Sequence, residues 1–129
     1  MSENQNIKPT VAELEILQIL WKKNQATVKD VNEEINKKKE TGYTTTLKTM
    51  QIMFEKGLVE RKKDGRSHIY SAAIKKEETQ RVLLDKILET AFGGSAGKLV
   101  MQALGNKKTT KEELQEIKEL INKLEQDSK

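Results

Sequence analysis

Residues 43–70 read YTTTLKTMQIMFEKGLVERKKDGRSHIY, and this stretch decides the fold. Its first half has helical periodicity. At 100° per residue Leu47, Met50, Met53 and Phe54 fall on one side, where they read as core. Thr44, Thr45, Lys48, Thr49 and Ile52 spread over the opposite side, with Gln51 on its margin. The helix starts near Tyr43-Thr44 and runs to Lys56. Gly57 supplies its stop, because glycine enters the left-handed conformation without a Cβ penalty. The second half reads as a hairpin. Leu58–Arg61 and Ser67–Ser71 are short strands joined by Lys62-Lys63-Asp64-Gly65-Arg66, whose Asp-Gly pair is a strong turn signal.

Upstream lie two more helices. Thr10 and Glu13 have capping-box spacing, in which a hydroxyl accepts from the N3 amide and the N3 carboxylate answers the N-cap amide. Leu14, Leu17, Ile19, Leu20 and Trp21 follow as an apolar face, and Asn24-Gln25 breaks it. Thr27 and Asp30 repeat the capping pattern ahead of Val28, Val31 and Ile35. Lys37-Lys38-Lys39-Glu40 is too polar to bury, and Thr41-Gly42 punctuates the chain. Downstream, Lys75–Glu78 opens a helix with apolar Val82, Leu83, Ile87, Leu88, Ala91 and Phe92. Gly93–Gly97 interrupts it, either as a plain inter-helix loop or as a flexible joint. Leu99–Leu104 forms a short apolar helix ended by Gly105-Asn106. Thr110 and Glu113 cap a last helix whose Leu114, Ile117, Ile121 and Leu124 make an a/d seam, too short for an independently stable coiled coil.

Composition narrows the function classes. The 129 residues suit one compact domain or two small ones. Hydrophobic residues are 35% and charged residues 34%, so the core is thin and a partner chain is expected to complete it. There is no cysteine and one histidine, His68, which removes disulfide frameworks, zinc-thiolate sites, cysteine nucleophiles and a Ser-His-Asp triad on this chain alone. No catalytic group, metal site or cofactor is expected. No apolar run approaches the ~20 residues that cross a bilayer, and MSENQNIKP lacks the layout of a secretory signal. A cytoplasmic protein without direct membrane association is therefore expected.

The net charge of +4 is unevenly placed. Residues 1–21 sum to −2, residues 22–81 carry 15 basic against 9 acidic side chains for +6, and the rest is balanced. Three helices and a basic hairpin in this order predict a winged helix-turn-helix, mostly α with a small β-hairpin wing, over residues 1–74. A helical dimerisation domain follows over 75–129. A third helix entering the ~12 Å major groove needs short hydrogen-bonding side chains outward. Thr44, Thr45, Lys48 and Thr49 meet that need, Gln51 on the margin joins them as a DNA-binding candidate, and Ile52 suits a thymine methyl. Arg61, Lys62, Lys63, Arg66 and His68 form the wing contacts, and Lys29 adds a phosphate contact. Each feature has a plainer reading: the threonines as caps, the basic turn as a solvated loop, His68 as a neutral strand residue. Their co-occurrence in order favours double-stranded DNA as partner, with a protein-interaction adaptor as the alternative.

Five motifs in register carry a family resemblance: Thr10-x-Ala12-Glu13-x-Glu15-Ile16-Leu17, Leu20-Trp21, Tyr43-Thr44-Thr45, Glu55-Lys56-Gly57-Leu58-Val59 and Gly65-Arg66-x-x-x-Tyr70. Over roughly residues 9–124 the chain resembles the penicillinase-repressor family, which has antibiotic-responsive and copper-responsive branches. The resemblance implies a cytosolic homodimeric repressor that reads a palindromic operator and interlocks through its C-terminal helices. Leu83, Ile87, Leu88, Phe92, Leu99, Val100, Leu104, Leu114, Ile117, Ile121 and Leu124 supply the apolar faces for that dimer. In the antibiotic-responsive branch a membrane sensor-transducer protease system leads to cutting of the repressor. The matching stretch is Leu99–Leu104, where Gln102-Ala103 stands in place of the family's Asn-Phe pair. The copper-responsive branch binds metal through a C-terminal cysteine cluster, which this chain lacks.

Overall fold

The computed structural model describes residues 8–128. The start of the segment read above as lacking a secretory signal, residues 1–7, lies outside them. The elements run α1 (Val11–Lys23), α2 (Val28–Asn36), α3 (Tyr43–Lys56), β1 (Val59–Asp64), β2 (Ser67–Ala72), α4 (Lys76–Ala91), α5 (Ala96–Asn106) and α6 (Lys111–Asp127). Two compact units divide between Leu83 and Leu84, so the opening turns of α4 belong to the first.

The first unit is built around one core. Both capping boxes form: the Thr10 hydroxyl accepts from the Glu13 amide and the Thr27 hydroxyl from the Asp30 amide, each answered by the N3 carboxylate. The helices they start turn Ile16, Leu17, Leu20, Val28 and Val31 inward, where they meet Met50 and Met53 of α3. Leu58, Val59 and Tyr70 complete the core from the hairpin side. Burial of each large apolar side chain contributes about 1.5–3 kcal/mol, which lets a two-stranded hairpin, marginal alone, persist here. The hairpin has a further anchor: Ala26, between α1 and α2, exchanges backbone hydrogen bonds with Tyr70 at 3.0 and 2.8 Å. The Trp21 indole donates to the Ile74 carbonyl at 3.0 Å and ties down the chain leaving β2.

The hairpin differs from the sequence expectation in register. β1 extends to Asp64, which pairs with Ser67, so only Gly65 and Arg66 form the turn. Gly65 has φ +64° and Arg66 stays at negative φ, the Gly-X pattern of a type II′ turn rather than Asp-Gly at the two central positions. Twist-matching at a two-residue loop outweighs the Asp-Gly preference. Phe54 also departs from expectation. It is 38% exposed, and the Arg61 guanidinium lies over its ring 4.0 Å from the centroid, a cation–π contact that covers it.

The second unit has a different character. Gly93 and Gly94 both take positive φ between α4 and α5, and the Ser95 hydroxyl accepts from the Lys98 amide to cap α5. Gly97 lies inside that helix rather than in the loop. Neither α5 nor α6 has a buried residue. Leu120, Ile121 and Leu124 of α6 are 55%, 47% and 56% exposed. Among the described residues no helix is long and apolar enough to cross a membrane.

Candidate nucleic-acid interface

Helix α3 is fastened at both ends. In the turn before it, the Asn36 side chain donates to the Thr41 carbonyl at 2.9 Å and accepts from the Thr41 amide at 3.0 Å. The Asn32 amide group donates to the same carbonyl at 3.1 Å and to the Thr46 hydroxyl at 2.8 Å. Thr46 is therefore a buried polar anchor that holds α3 to α2. At the far end Lys56 Nζ donates to both Glu13 carboxylate oxygens, at 3.0 and 2.8 Å. Glu13 Oε1 also accepts from the Thr10 amide at 2.9 Å, so one carboxylate closes the α1 cap and pins α3. Lys56 is thus one of the central cations that is already paired.

What these fastenings leave outward is a mixed face. Thr44, Lys48, Gln51 and Ile52 are exposed. Thr45 is exposed too, but it lines a groove of about 300 Å³ with Thr49, Ala12, Glu15 and Ile35, on the side toward α1. Thr49 is half-buried, and its hydroxyl donates to the Thr45 carbonyl at 2.9 Å. Glu55 is exposed one heptad beyond Lys48 and so on the same side of the helix. A polyanion is repelled there, which leaves the N-terminal two-thirds of α3 as the part open to one. The N-cap, Gly42, makes no side-chain cap bond and the first turn holds no acid, unlike α1 and α2. Its amides and the positive end of the helix dipole face solvent, an arrangement suited to phosphate.

The hairpin divides its cations. In an antiparallel pair, directly opposed residues share a face. Arg61 opposes Tyr70 and Lys63 opposes His68, whereas Lys62 opposes Ile69. Arg61 is engaged: besides covering Phe54, its Nη1 donates to the buried Tyr70 hydroxyl at 3.3 Å. Lys62, Lys63 and Arg66 are exposed, Arg66 at the turn, and His68 is half-buried. A cleft of about 430 Å³ opens between α2, α3 and the hairpin. It brings together Lys29, Gln51, Arg66 and His68 with Thr27 and Tyr43. Sequence reasoning passed over Tyr43, whose position one residue before the threonines was the available signal. Thr46, Asn32 and Glu13 were not singled out for α3 positioning either, since their partners are set by packing.

Three packed helices, a hairpin held to them and an exposed, uncapped third helix define a winged helix-turn-helix protein. The chain belongs to the penicillinase repressor family, whose family model matches residues 9–123. It is 24% identical over 119 residues to a penicillinase repressor of Staphylococcus aureus, covering 92% of this chain and 94% of that one. The methicillin resistance regulatory protein MecI of Staphylococcus aureus (strain N315) is 22% identical over 121 residues, covering 94% and 98%. Among solved structures, the YusO protein from Bacillus subtilis matches with a TM-score of 0.50 at 20% identity, over 96% of this chain and 78% of that one, a likeness of fold.

Proposed function

We propose that the chain is a dimeric, sequence-specific DNA-binding transcriptional repressor that acts on a palindromic operator in the cytoplasm. The observation that carries this reading is the exposed Thr44, Lys48, Gln51, Ile52 face, with Lys29 and Arg66 in the cleft next to it and Lys62 and Lys63 exposed on the hairpin. The helix reads base edges in the major groove, and the hairpin cations hold phosphates. Thr45 and Thr49 lie at the edge of the reading face, and Arg61 on the hairpin is held by the Tyr70 hydroxyl.

The second unit joins two copies. Leu83, Ile87, Leu88, Phe92, Leu99, Val100, Leu104, Leu114, Ile117, Ile121 and Leu124 provide more apolar area than three short helices bury alone, and a two-fold partner covers it. Two reading helices then meet half-sites whole helical turns apart. Release follows cutting in α5 by a sensor-transducer protease system. Gln102 and Ala103 are exposed within that helix, which must open locally before a protease can engage an extended backbone.

Gel shift against palindromic duplex from upstream of the chain's own gene tests the core of the proposal. A dimer that prefers this duplex over a scrambled one at physiological salt is expected. Equal affinity for both sinks specific reading. Absence of any salt-sensitive duplex binding favours a protein-interaction adaptor.

A further inference from the structure

Sequence alone places Arg61 with the cations of the hairpin turn, but its surroundings set it apart from them. Lys62, Lys63 and Arg66 are exposed, whereas Arg61 is half-buried on the hairpin face that it shares with buried Tyr70. Its guanidinium lies 4.0 Å from the centroid of the Phe54 ring, and its Nη1 donates to the Tyr70 hydroxyl at 3.3 Å. One side chain of β1 thus joins α3 to β2. We propose that Arg61 is a positioning residue, which fixes the hairpin against α3 before DNA arrives and holds no phosphate itself. This rests on the DNA-binding reading above and deepens it.

Phe54 lies in the last turn of α3 next to exposed Glu55, at the end of the helix from which a polyanion is repelled. A cation stacked there serves the protein rather than a phosphate. Leverage gives that contact its effect. Leu58, Val59 and Tyr70 root the base of the hairpin in the core, and Ala26 bridges to Tyr70 from the turn between α1 and α2. Beyond Arg61 the hairpin runs out to its tip through the exposed residues 62–67. Arg66 is five positions farther along, about 17 Å at the rise of an extended strand. A tilt of about 10° at Arg61 therefore moves the tip by about 3 Å, the length of a hydrogen bond. The chemistry also calls for arginine. A planar guanidinium lies flat on a ring while its N–H groups donate in its own plane, which a lysine ammonium cannot do. A hairpin already held in place loses less freedom on binding, and the saving appears as affinity.

The test combines duplex affinity over a range of salt, using the palindromic upstream duplex, with hydrogen exchange of the free full-length chain. Arg61→Gln is expected to weaken binding by about 3–10-fold while the salt slope keeps its wild-type value, because the tip cations still reach phosphates once the hairpin is ordered. Phe54→Leu removes the ring face without altering any charge, and it is expected to weaken binding to the same extent. The two changes together are expected to be no worse than either alone. Phe54→Tyr keeps the ring and is expected to bind like the wild type. Without DNA, the amides of residues 62–69 are expected to exchange faster in Arg61→Gln and Phe54→Leu, while α1, α2 and α3 keep their protection. A salt slope lowered by about 1 in Arg61→Gln makes Arg61 a phosphate contact and overturns the proposal. Wild-type affinity in either variant, or unchanged exchange of residues 62–69 in both, also overturns it. Lost protection throughout α1, α2 and α3 in both variants overturns it too, since Arg61 then stabilises the whole fold. Failure of the wild-type protein to bind any duplex instead overturns the DNA-binding reading on which the proposal rests.

Discussion

Lys48 and Arg66 are both exposed cations, but their surroundings assign them different work. Lys48 sits among Thr44, Gln51 and Ile52 on the outward face of α3, which the proposed reading sets against base edges. Lys48→Ala is expected to reduce the preference for operator over scrambled duplex by about 1–3 kcal/mol, read from paired titrations. Arg66 occupies the turn of the hairpin, where the proposed reading gives it phosphates to contact. Arg66→Ala is expected to weaken binding to both duplexes and to lower the salt slope by about 1. Identical salt effects from the two changes, with no altered preference, would refute the division. The residue types on α3 were legible from helical phase alone. That Arg61 lies over Phe54 was not, because it depends on a neighbour that packing supplies.

Helix α3 works as a reading element only if its ends are held, and the two ends are held differently. The Asn32, Asn36, Thr41 and Thr46 network fixes the entry, and the Glu13–Lys56 pair fixes the exit. Glu13 has a side-chain exposure of 5% against 37% for Lys56, so the carboxylate has little water to fall back on. Glu13→Gln keeps the volume and part of the cap but loses the charge pairing. It is expected to destabilise the first unit by about 1–3 kcal/mol, measured by urea denaturation of the full chain. An unchanged midpoint excludes a stabilising role for the pair. The capping boxes that start α1 and α2 were readable because their partners stand three residues apart. Lys56 is 43 residues from Glu13, and only the crossing of α1 and α3 brings them together. The hairpin turn was placed correctly as a region, yet its two central residues shifted by one, since strand pairing extends until a twist-compatible turn closes it.

At the scale of the molecule the two units divide the work unequally. The hydrophobic core lies between Ile16 and Tyr70, whereas α5 and α6 have no buried residue among those described. A second copy is the proposed cover for their apolar faces. Leu120→Glu and Ile121→Glu together are expected to convert a dimer into a monomer in analytical ultracentrifugation. Operator affinity is then expected to fall by 10²–10⁴, the loss of effective concentration between joined half-site readers. A variant that stays dimeric, or a wild-type chain that sediments as a monomer at micromolar concentration, rejects this assembly. Leu120 lies outside the a/d seam seen in the sequence, so the exposed stripe of α6 is wider than a two-heptad pattern suggested.

The sequence by itself determined the order of elements, the three-helix and hairpin plan, the starts of α1, α2 and α6, and the placement of the positive excess. All of these are local, carried by spacings of a few residues or by charge along the chain. Tertiary structure decided which of those charges remain open to a partner. It paired Lys56 with Glu13, laid Arg61 over Phe54, and gathered Lys29, Tyr43 and His68 around one cleft. The physical reason is that availability depends on what packs beside a side chain, and those neighbours come from distant parts of the chain.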